Sequence, residues 1–187
     1  MLFRSIKCLS EDYYRNVRIS KLVKRMYDRG RQAIVVAETI NHLQTLMRLS
    51  KREGVPDDVM VLFSSQVNYT EEVPVGPEGR LQPVAKKRNQ SKSTLDRIKR
   101  ESQIIFAPYG MMKEGVDIPR LDAGIDATPR SDATQLIGRI RRTGEGKKSP
   151  VIWVTVVDVN CERSLRYYRG RLSEYEQCGA EVTEGVR

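Results

Sequence analysis

Two arginines on one predicted helix are the side chains of this sequence best suited to binding a phosphorylated ligand. Residues 135–142 read QLIGRIRR, which is Q-x-x-G-R-x-x-R. On a helix Arg139 and Arg142 share one face, and Gln135 lies four residues before Arg139 on that face. Gly138 leaves room for another group to approach closely. Because a guanidinium is planar, stays charged and binds phosphate oxygens in pairs, this face predicts a clamp for a triphosphate.

A second cluster of special residues precedes this helix in the chain. Residues 108–119 read PYGMMKEGVDIP and contain G-x-D-x-P, formed by Gly115, Asp117 and Pro119. Alone, such a cluster is typical of an ordinary turn. Its position just before the paired arginines makes it a candidate ligand-binding loop.

The elements that must position these residues are short apolar strands alternating with helices. Strands are predicted at 33–37, 59–64, 103–107, 123–127 and 151–158. Helices are predicted at 11–29 with Ser10 as N-cap, 41–52, 93–101, 131–141, and 160–179 with Asn160 as N-cap. This alternation predicts an α/β fold with a parallel sheet flanked by helices. Ligands of such sheets bind at the carboxyl ends of the strands, so we expect the chemistry in the loops after the third and fourth strands.

The stretch 65–92 interrupts this alternation. It is rich in proline and glycine and ends in the basic run 86–88. A structureless loop of this length is unusual inside a compact domain, so the stretch predicts an insertion, either a hairpin or a mobile loop. We expect a helical extension at 1–30 and one main domain at 31–187.

The composition narrows the kinds of partner. The 187 residues carry a formal net charge of +9, which predicts nucleic acid as a partner, with a solvated basic surface as the alternative. Three dispersed cysteines and a single histidine, His42, predict no metal site and a reduced intracellular protein. We expect His42 to be at the surface or half-buried. The sequence shows neither a membrane-length apolar segment nor a secretory signal, so no membrane partner is expected.

The two clusters together resemble motifs V and VI of superfamily 2 helicases. They occur in the family's order, with a predicted strand between them, and residues 33–46 (AIVVAETINHLQTL) stand in the place of motif IV. The similarity covers roughly residues 31 to 160 and is closest in style to helicases of phages and large DNA viruses. It implies the second, C-terminal RecA-like domain of such a helicase.

The resemblance also implies roles for individual residues. Arg139 and Arg142 would be arginine fingers that reach the γ-phosphate of ATP, where they stabilise developing charge. The remaining nucleotide contacts would come from Gly115, Asp117, Gln135 and Gly138. Contacts to a DNA or RNA backbone are implied for residues that follow three of the strands, namely Thr39, Ser64, Ser65, Tyr109 and Gly110.

The sequence lacks the other half of an ATP site. It contains no G-x-x-x-x-G-K-[ST], and its nearest approach, residues 144–149 (GEGKKS), has Lys148 where a Mg²⁺-binding hydroxyl is needed. We therefore expect ATP with Mg²⁺ to be shared with a first RecA-like domain, on another chain or in a segment lost or left out, and no ATP hydrolysis by this chain alone. Two alternatives remain open: an ATP-independent nucleic-acid-binding module, and an interaction subunit derived from a helicase domain.

Overall fold

The computed structural model describes residues 2–75, 80–113, 118–131, 137–138, 140–141, 146–183 and 185. In chain order, the elements are α1 (Leu2–Glu11), α2 (Tyr13–Asp28), β1 (Ala33–Ala37), α3 (Ile40–Arg52), β2 (Met60–Leu62), β3 (Gln66–Val75), β4 (Arg80–Asn89), α4 (Lys92–Glu101), β5 (Ile104–Pro108), α5 (Tyr109–Lys113), β6 (Ala123–Asp126), β7 (Ile152–Thr155) and a C-terminal helix (Glu162–Gln177). None of the helices found in these residues is long and apolar enough to cross a membrane.

A five-stranded sheet forms the centre of the molecule, in the spatial order β2-β5-β1-β6-β7. Every neighbouring pair in it is parallel. The predicted α/β fold, with a parallel sheet flanked by helices, is therefore confirmed. β1 lies in the middle and pairs with both β5 and β6, so the ends of these three strands lie side by side.

Helices cover both faces of the sheet, which is why the strands read as continuous apolar runs. All five residues of β1 are fully buried. On one face, Ile19 and Val23 of α2 and Leu43 of α3 pack against alternate strand residues. On the other face, Ile98 of α4 and Met112 of α5 complete a second core.

The N-terminal region contains two helices rather than the single helix predicted from Glu11. The break falls at Asp12, whose side chain accepts a hydrogen bond from the Arg15 backbone N–H at 3.0 Å and caps α2. The prediction of Ser10 as N-cap was wrong, because Asp12, two residues later, is the residue that caps the helix. A division of the chain at residue 30 stays a prediction.

The insertion predicted at 65–92 forms a hairpin, which decides between the two expected alternatives. β3 and β4 pair antiparallel from Gln66↔Asn89 to Val75↔Arg80 and make a separate two-stranded sheet. Each strand of such a ribbon has a free edge, so it tolerates the prolines that a central strand excludes.

Several predicted boundaries also shift. β2 is shorter than expected and the C-terminal helix is capped at Cys161 rather than Asn160. That helix starts later because a turn intervenes, closed by the Cys161 N–H donating to the Asp158 carbonyl at 3.0 Å. Of the helix predicted at 131–141, residues 137, 138 and 140 are helical, and residues 132–136 and 139 lie outside the described residues.

The contact between Gly124 and Trp153 gives a stability prediction. A Cβ at Gly124 would lie 2.2 Å from Cζ3 of the Trp153 ring. We expect Gly124→Ala to lower the free energy of unfolding by about 1–3 kcal/mol, because the ring or the strand must shift. Chemical denaturation measures this. As the matched control, Gly170→Ala adds a Cβ that meets no atom of the described residues within 4 Å and should raise stability by about 0.5–1 kcal/mol. Equal effects of the two changes would contradict the clash.

Candidate functional site at the carboxyl edge of the sheet

The loops that follow β1, β5 and β6 meet at one edge of the sheet, where parallel strands all end. This edge is where ligands bind in sheets of this class. Tyr109 begins α5 directly after β5, Glu38 follows β1, and Thr128 follows β6. The contacts among these residues define the candidate site.

Tyr109 bridges these loops from the inside. Its side chain is only 4% exposed, and its hydroxyl donates to the Asp126 carboxylate and lies 3.2 Å from the Thr128 carbonyl oxygen. The Arg130 guanidinium stacks 4.7 Å from the centre of the Tyr109 ring and pairs with Glu38 at 2.9 Å. Burial raises the pKa of Tyr109 well above its ordinary value, with Asp126 adding to the rise, so the hydroxyl keeps its proton and remains a donor.

A buried ion pair lies beneath this bridge. Arg171 of the C-terminal helix donates from Nη1 to Asp126 Oδ2 at 2.6 Å, and both side chains are 1% exposed. Burial raises the pKa of the Asp126 carboxyl, and the Arg171 guanidinium and the Tyr109 hydroxyl oppose that rise. The Thr128 backbone N–H donates to Asp126 Oδ1 at 3.3 Å. The carboxylate thus joins the end of β6, the loop after β5 and the C-terminal helix.

His42 lies inside this region, and the expectation of a surface or half-buried histidine was wrong. It is 3% exposed and its Nε2 is 2.8 Å from Asn16 Oδ1 on α2. The Asn16 amide nitrogen donates to a carbonyl, so its oxygen is the acceptor and Nε2 carries the proton. On the other side, Nδ1 lies 3.5 Å from the Thr128 hydroxyl, which also accepts the Glu38 N–H at 3.3 Å. Packing of α2 against α3 buries this ring, a contact that no local pattern reveals.

The residues predicted to contact nucleic acid are all described. Thr39 is exposed and caps α3 by accepting the His42 N–H at 3.3 Å. Ser64, which follows β2, is buried, whereas Ser65 is exposed. Gly110 is exposed next to the buried Tyr109 ring. The topology places these residues at the carboxyl edge, and their contact with nucleic acid stays a prediction.

The predicted nucleotide contacts lie mostly outside the described residues, namely Gly115, Asp117, Gln135, Arg139 and Arg142. The helix that would carry the last three is anchored by Ile137, which packs against Tyr175, and by Ile140 in the second core. Gly138 is exposed, and a Cβ there would meet no atom of the described residues within 4 Å. The nucleotide roles of these residues remain predictions.

The segment that partly resembles a phosphate-binding loop lies elsewhere. The Lys148 backbone N–H donates to Asp122 Oδ2 at 3.0 Å, just before β6. Arg31, just before β1, donates to the Lys148 carbonyl at 3.0 Å. This part of the 144–149 segment is therefore at the amino edge, opposite the candidate site.

Sequence reasoning missed the residues that organise the site, chiefly Asp126, Arg171 and Thr128. The sequence carries one signal each for Asp126 and Arg171, and none for Thr128. Asp126 is the one charged residue of an apolar strand, and Arg171 lies four residues before Tyr175, on the face of the C-terminal helix that carries its apolar side chains. Within the described ranges, no group of three or more histidine, cysteine or acidic residues is arranged to hold a metal ion.

The fold defines a class of structure: the chain has the RecA-like α/β fold that solved helicase domains share, as the motifs led us to expect. No family model matches the chain. The solved structure of T4 UvsW superposes with a TM-score of 0.61 at 18% identity, over 95% of this chain and 35% of that one. The helicase domain of Pyrococcus furiosus Hef gives 0.53 at 17% identity, over 90% and 30%. Dbp5 of S. cerevisiae, bound to RNA and ADP BeF3, gives 0.54 at 15% identity, over 92% and 38%.

One curated relative is similar in sequence. It is a protein of Acanthamoeba polyphaga mimivirus to which ATP-dependent RNA helicase activity is ascribed, 31% identical over 75 residues. The match covers 40% of this chain and 14% of that protein. The chain therefore matches only a small part of this relative and about a third of each solved structure.

The Asp126–Arg171 pair gives the second prediction. We expect Asp126→Asn and Arg171→Met each to lower the free energy of unfolding by about 3–5 kcal/mol, since each leaves a buried group without its partner. The loss of unfolding free energy in the double variant should be smaller than the sum of the losses in the two single variants. A double-mutant cycle by urea denaturation measures this coupling, with the exposed Lys51–Asp57 pair as control, where coupling below about 1 kcal/mol is expected. Additive losses at the buried pair would refute the interaction.

The single histidine gives the third prediction, on pH. Burial and, secondly, the charge of Arg15 lower the pKa of His42 from 6.5 to about 4 in the folded chain. Between these values the unfolded chain binds a proton that the folded chain does not. Stability should therefore fall by about 3 kcal/mol as the pH drops from 6.5 to 4, and this contribution should then level off. The matching NMR titration of the His42 ring should have its midpoint near pH 4.

A control separates this effect from the titration of carboxyl groups. His42→Gln removes the only histidine, so its free energy of unfolding should change less between pH 6.5 and 4 than that of the unmodified chain. A ring that titrates near pH 6.5 would show that the histidine is not buried as described.

Proposed function

We propose that this chain is the C-terminal motor half of an ATP-dependent nucleic-acid helicase or translocase. One observation carries the proposal: Tyr109, in the segment that resembles motif V, is hydrogen-bonded to Asp126 and lies under Arg130, which precedes the segment that resembles motif VI by five residues in the sequence. The loops after β5 and β6, which lead into the two motif segments, therefore meet at the carboxyl edge. This meeting supports a shared task for the two motifs.

The predicted arginines would act on a nucleotide held by a first RecA-like domain. ATP with Mg²⁺ would supply the phosphoryl group whose transfer drives the motor. In this proposal, Arg139 and Arg142 bind the γ-phosphate and stabilise its charge, while Asp117 and the backbone at Gly115 meet the ribose. Gln135 and Gly138 complete the contact surface. The exposure of Gly138 is consistent with such an approach.

Nucleic acid, DNA or RNA, is the proposed substrate. Thr39, Ser65 and Gly110 are exposed at the carboxyl edge, and hydroxyls and backbone N–H groups bind phosphates without reading the sequence. The net charge of +9 favours a polyanion. Among the proteins of similar fold, Dbp5 was solved with RNA and ADP BeF3, which supports the same pair of ligands here.

The arginine roles give the fourth prediction. In the assembled motor, meaning this chain with a first RecA-like domain, Arg139→Ala or Arg142→Ala should lower kcat for nucleic-acid-stimulated ATP hydrolysis by roughly 10³ to 10⁵. Steady-state ATPase kinetics measure it. Arg141→Ala is the matched control in the same segment, because Arg141 is exposed and its guanidinium donates to the Cys178 carbonyl. Its effect on kcat should be small.

Two results would contradict the motor proposal. The first is robust ATP turnover by the isolated 187-residue chain, because the sequence offers no phosphate-binding loop. The second is unchanged turnover in the Arg139→Ala motor. The alternative, an ATP-independent nucleic-acid-binding module, is favoured by the basic residues between Lys86 and Arg100. This alternative predicts that the affinity for nucleic acid stays the same when a nucleotide is added and when Arg139 or Arg142 is replaced by alanine.

A further inference from the structure

The outer face of α2 carries an unusual row of side chains. Tyr14, Arg18, Lys21 and Arg25 are exposed, Tyr14 to 80%. Their spacing of four, three and four residues places them along one side of the helix. We call this row the α2 stripe. The opposite side of α2 is buried in the first core through residues such as Ile19.

The α2 stripe is charged with one sign only. Within the described part of the chain, the side chains of Arg18, Lys21 and Arg25 have no ion pair or hydrogen bond. The nearby Asp28 is paired with Lys24 instead. Like charges one turn apart destabilise a helix, and a merely solvated helix face usually interleaves acids with bases. The C-terminal helix does so, with Arg166 3.9 Å from Glu162.

The α2 stripe starts at the same edge of the sheet as the candidate site. The N-terminal turn of α2 is fixed there, because Arg15 donates to Asp158 Oδ1 after β7 at 2.7 Å and Asn16 bonds to His42. α2 then runs away from this edge toward the start of β1. From Tyr14 to Arg25 the row extends roughly 16 Å, at about 1.5 Å per residue.

A row of cations with an exposed aromatic ring at one end fits the backbone of a nucleic acid. Lysine and arginine bind phosphates without reading the sequence, and an exposed ring stacks on any base. The apolar side of α2 is occupied by the core, so the helix cannot insert that side into a membrane. We propose that the α2 stripe is a second nucleic-acid contact that leads the strand from the carboxyl edge along α2, an inference that rests on the proposed function.

The test compares two charge-matched variants of the full chain. The stripe variant is Arg18→Gln, Lys21→Gln and Arg25→Gln. The control variant is Arg163→Gln, Arg166→Gln and Arg169→Gln on the C-terminal helix, which removes the same charge. Fluorescence anisotropy with labelled 20-nucleotide oligo-dT and oligo-rU, at about 50 to 300 mM NaCl, gives the affinity and its salt dependence, and thermal melting followed by circular dichroism checks folding.

The stripe variant should bind at least about tenfold more weakly at 50 mM salt. The slope of log affinity against log salt concentration should be smaller in magnitude by about 2, because three phosphate contacts to a single strand are lost. The control variant should keep the slope of the unmodified chain. Tyr14→Ala should weaken binding at least about fivefold without changing the slope, and Tyr14→Phe should restore it, since stacking needs the ring alone.

Three results would overturn the α2 stripe as a nucleic-acid contact. They are an unchanged slope in the stripe variant, equal losses in both triple variants, and polyglutamate bound as tightly as an oligonucleotide of equal charge. The outcome is separable from that of the motor proposal. If the stripe variant binds normally while Arg139→Ala abolishes turnover, only the proposal for the α2 stripe is wrong. If the stripe variant binds weakly while Arg139→Ala leaves turnover unchanged, only the motor proposal is wrong.

Discussion

The carboxylate of Asp126 is the interaction on which the rest of the site depends. A charge at the end of a fully buried strand lowers the stability of the fold unless hydrogen-bond donors and an opposite charge pair with it. Tyr109, Arg171 and the Thr128 backbone supply those donors from three separate parts of the chain. Satisfying one carboxylate therefore fixes the relative positions of the loops after β5 and β6 and of the C-terminal helix.

This constraint explains how exposed residues are held in place at the carboxyl edge of the sheet. The Tyr109 ring is fixed from below by Asp126 and from above by Arg130, which also binds Glu38 after β1. Backbone groups at Gly110 and Thr39 are thereby presented on a scaffold that is held by the contacts of Asp126 and Tyr109. Such preorganisation suits sites that act on phosphates, where positioning supplies most of the catalysis.

Sequence patterns predicted the parts of the fold that follow from local physical chemistry. The bounds of β1 agree with the AIVVA run, because a strand buried on both faces is built mainly from a continuous apolar run. The N-caps at Ser10 and Asn160 were wrong: Asp12 caps α2 by a local hydrogen bond, and the C-terminal helix has its N-cap at Cys161 after a turn, with no side-chain capping bond. Asp126–Arg171 lay beyond prediction because its partners are 45 residues apart.

The place of β1 at the centre of the sheet also affects how the chain reaches this fold. β1 is made before both of its partners, β5 and β6, which come much later in the sequence. Until residue 108 is available an uncharged, β-branched segment has two unpaired edges, and one of them stays unpaired until residue 126, which is the situation that invites association between chains. Because α2 precedes β1 and packs on one of its faces, it can cover that segment as soon as β1 is made. Folding therefore depends on local helix formation while the long-range strand pairings are still incomplete.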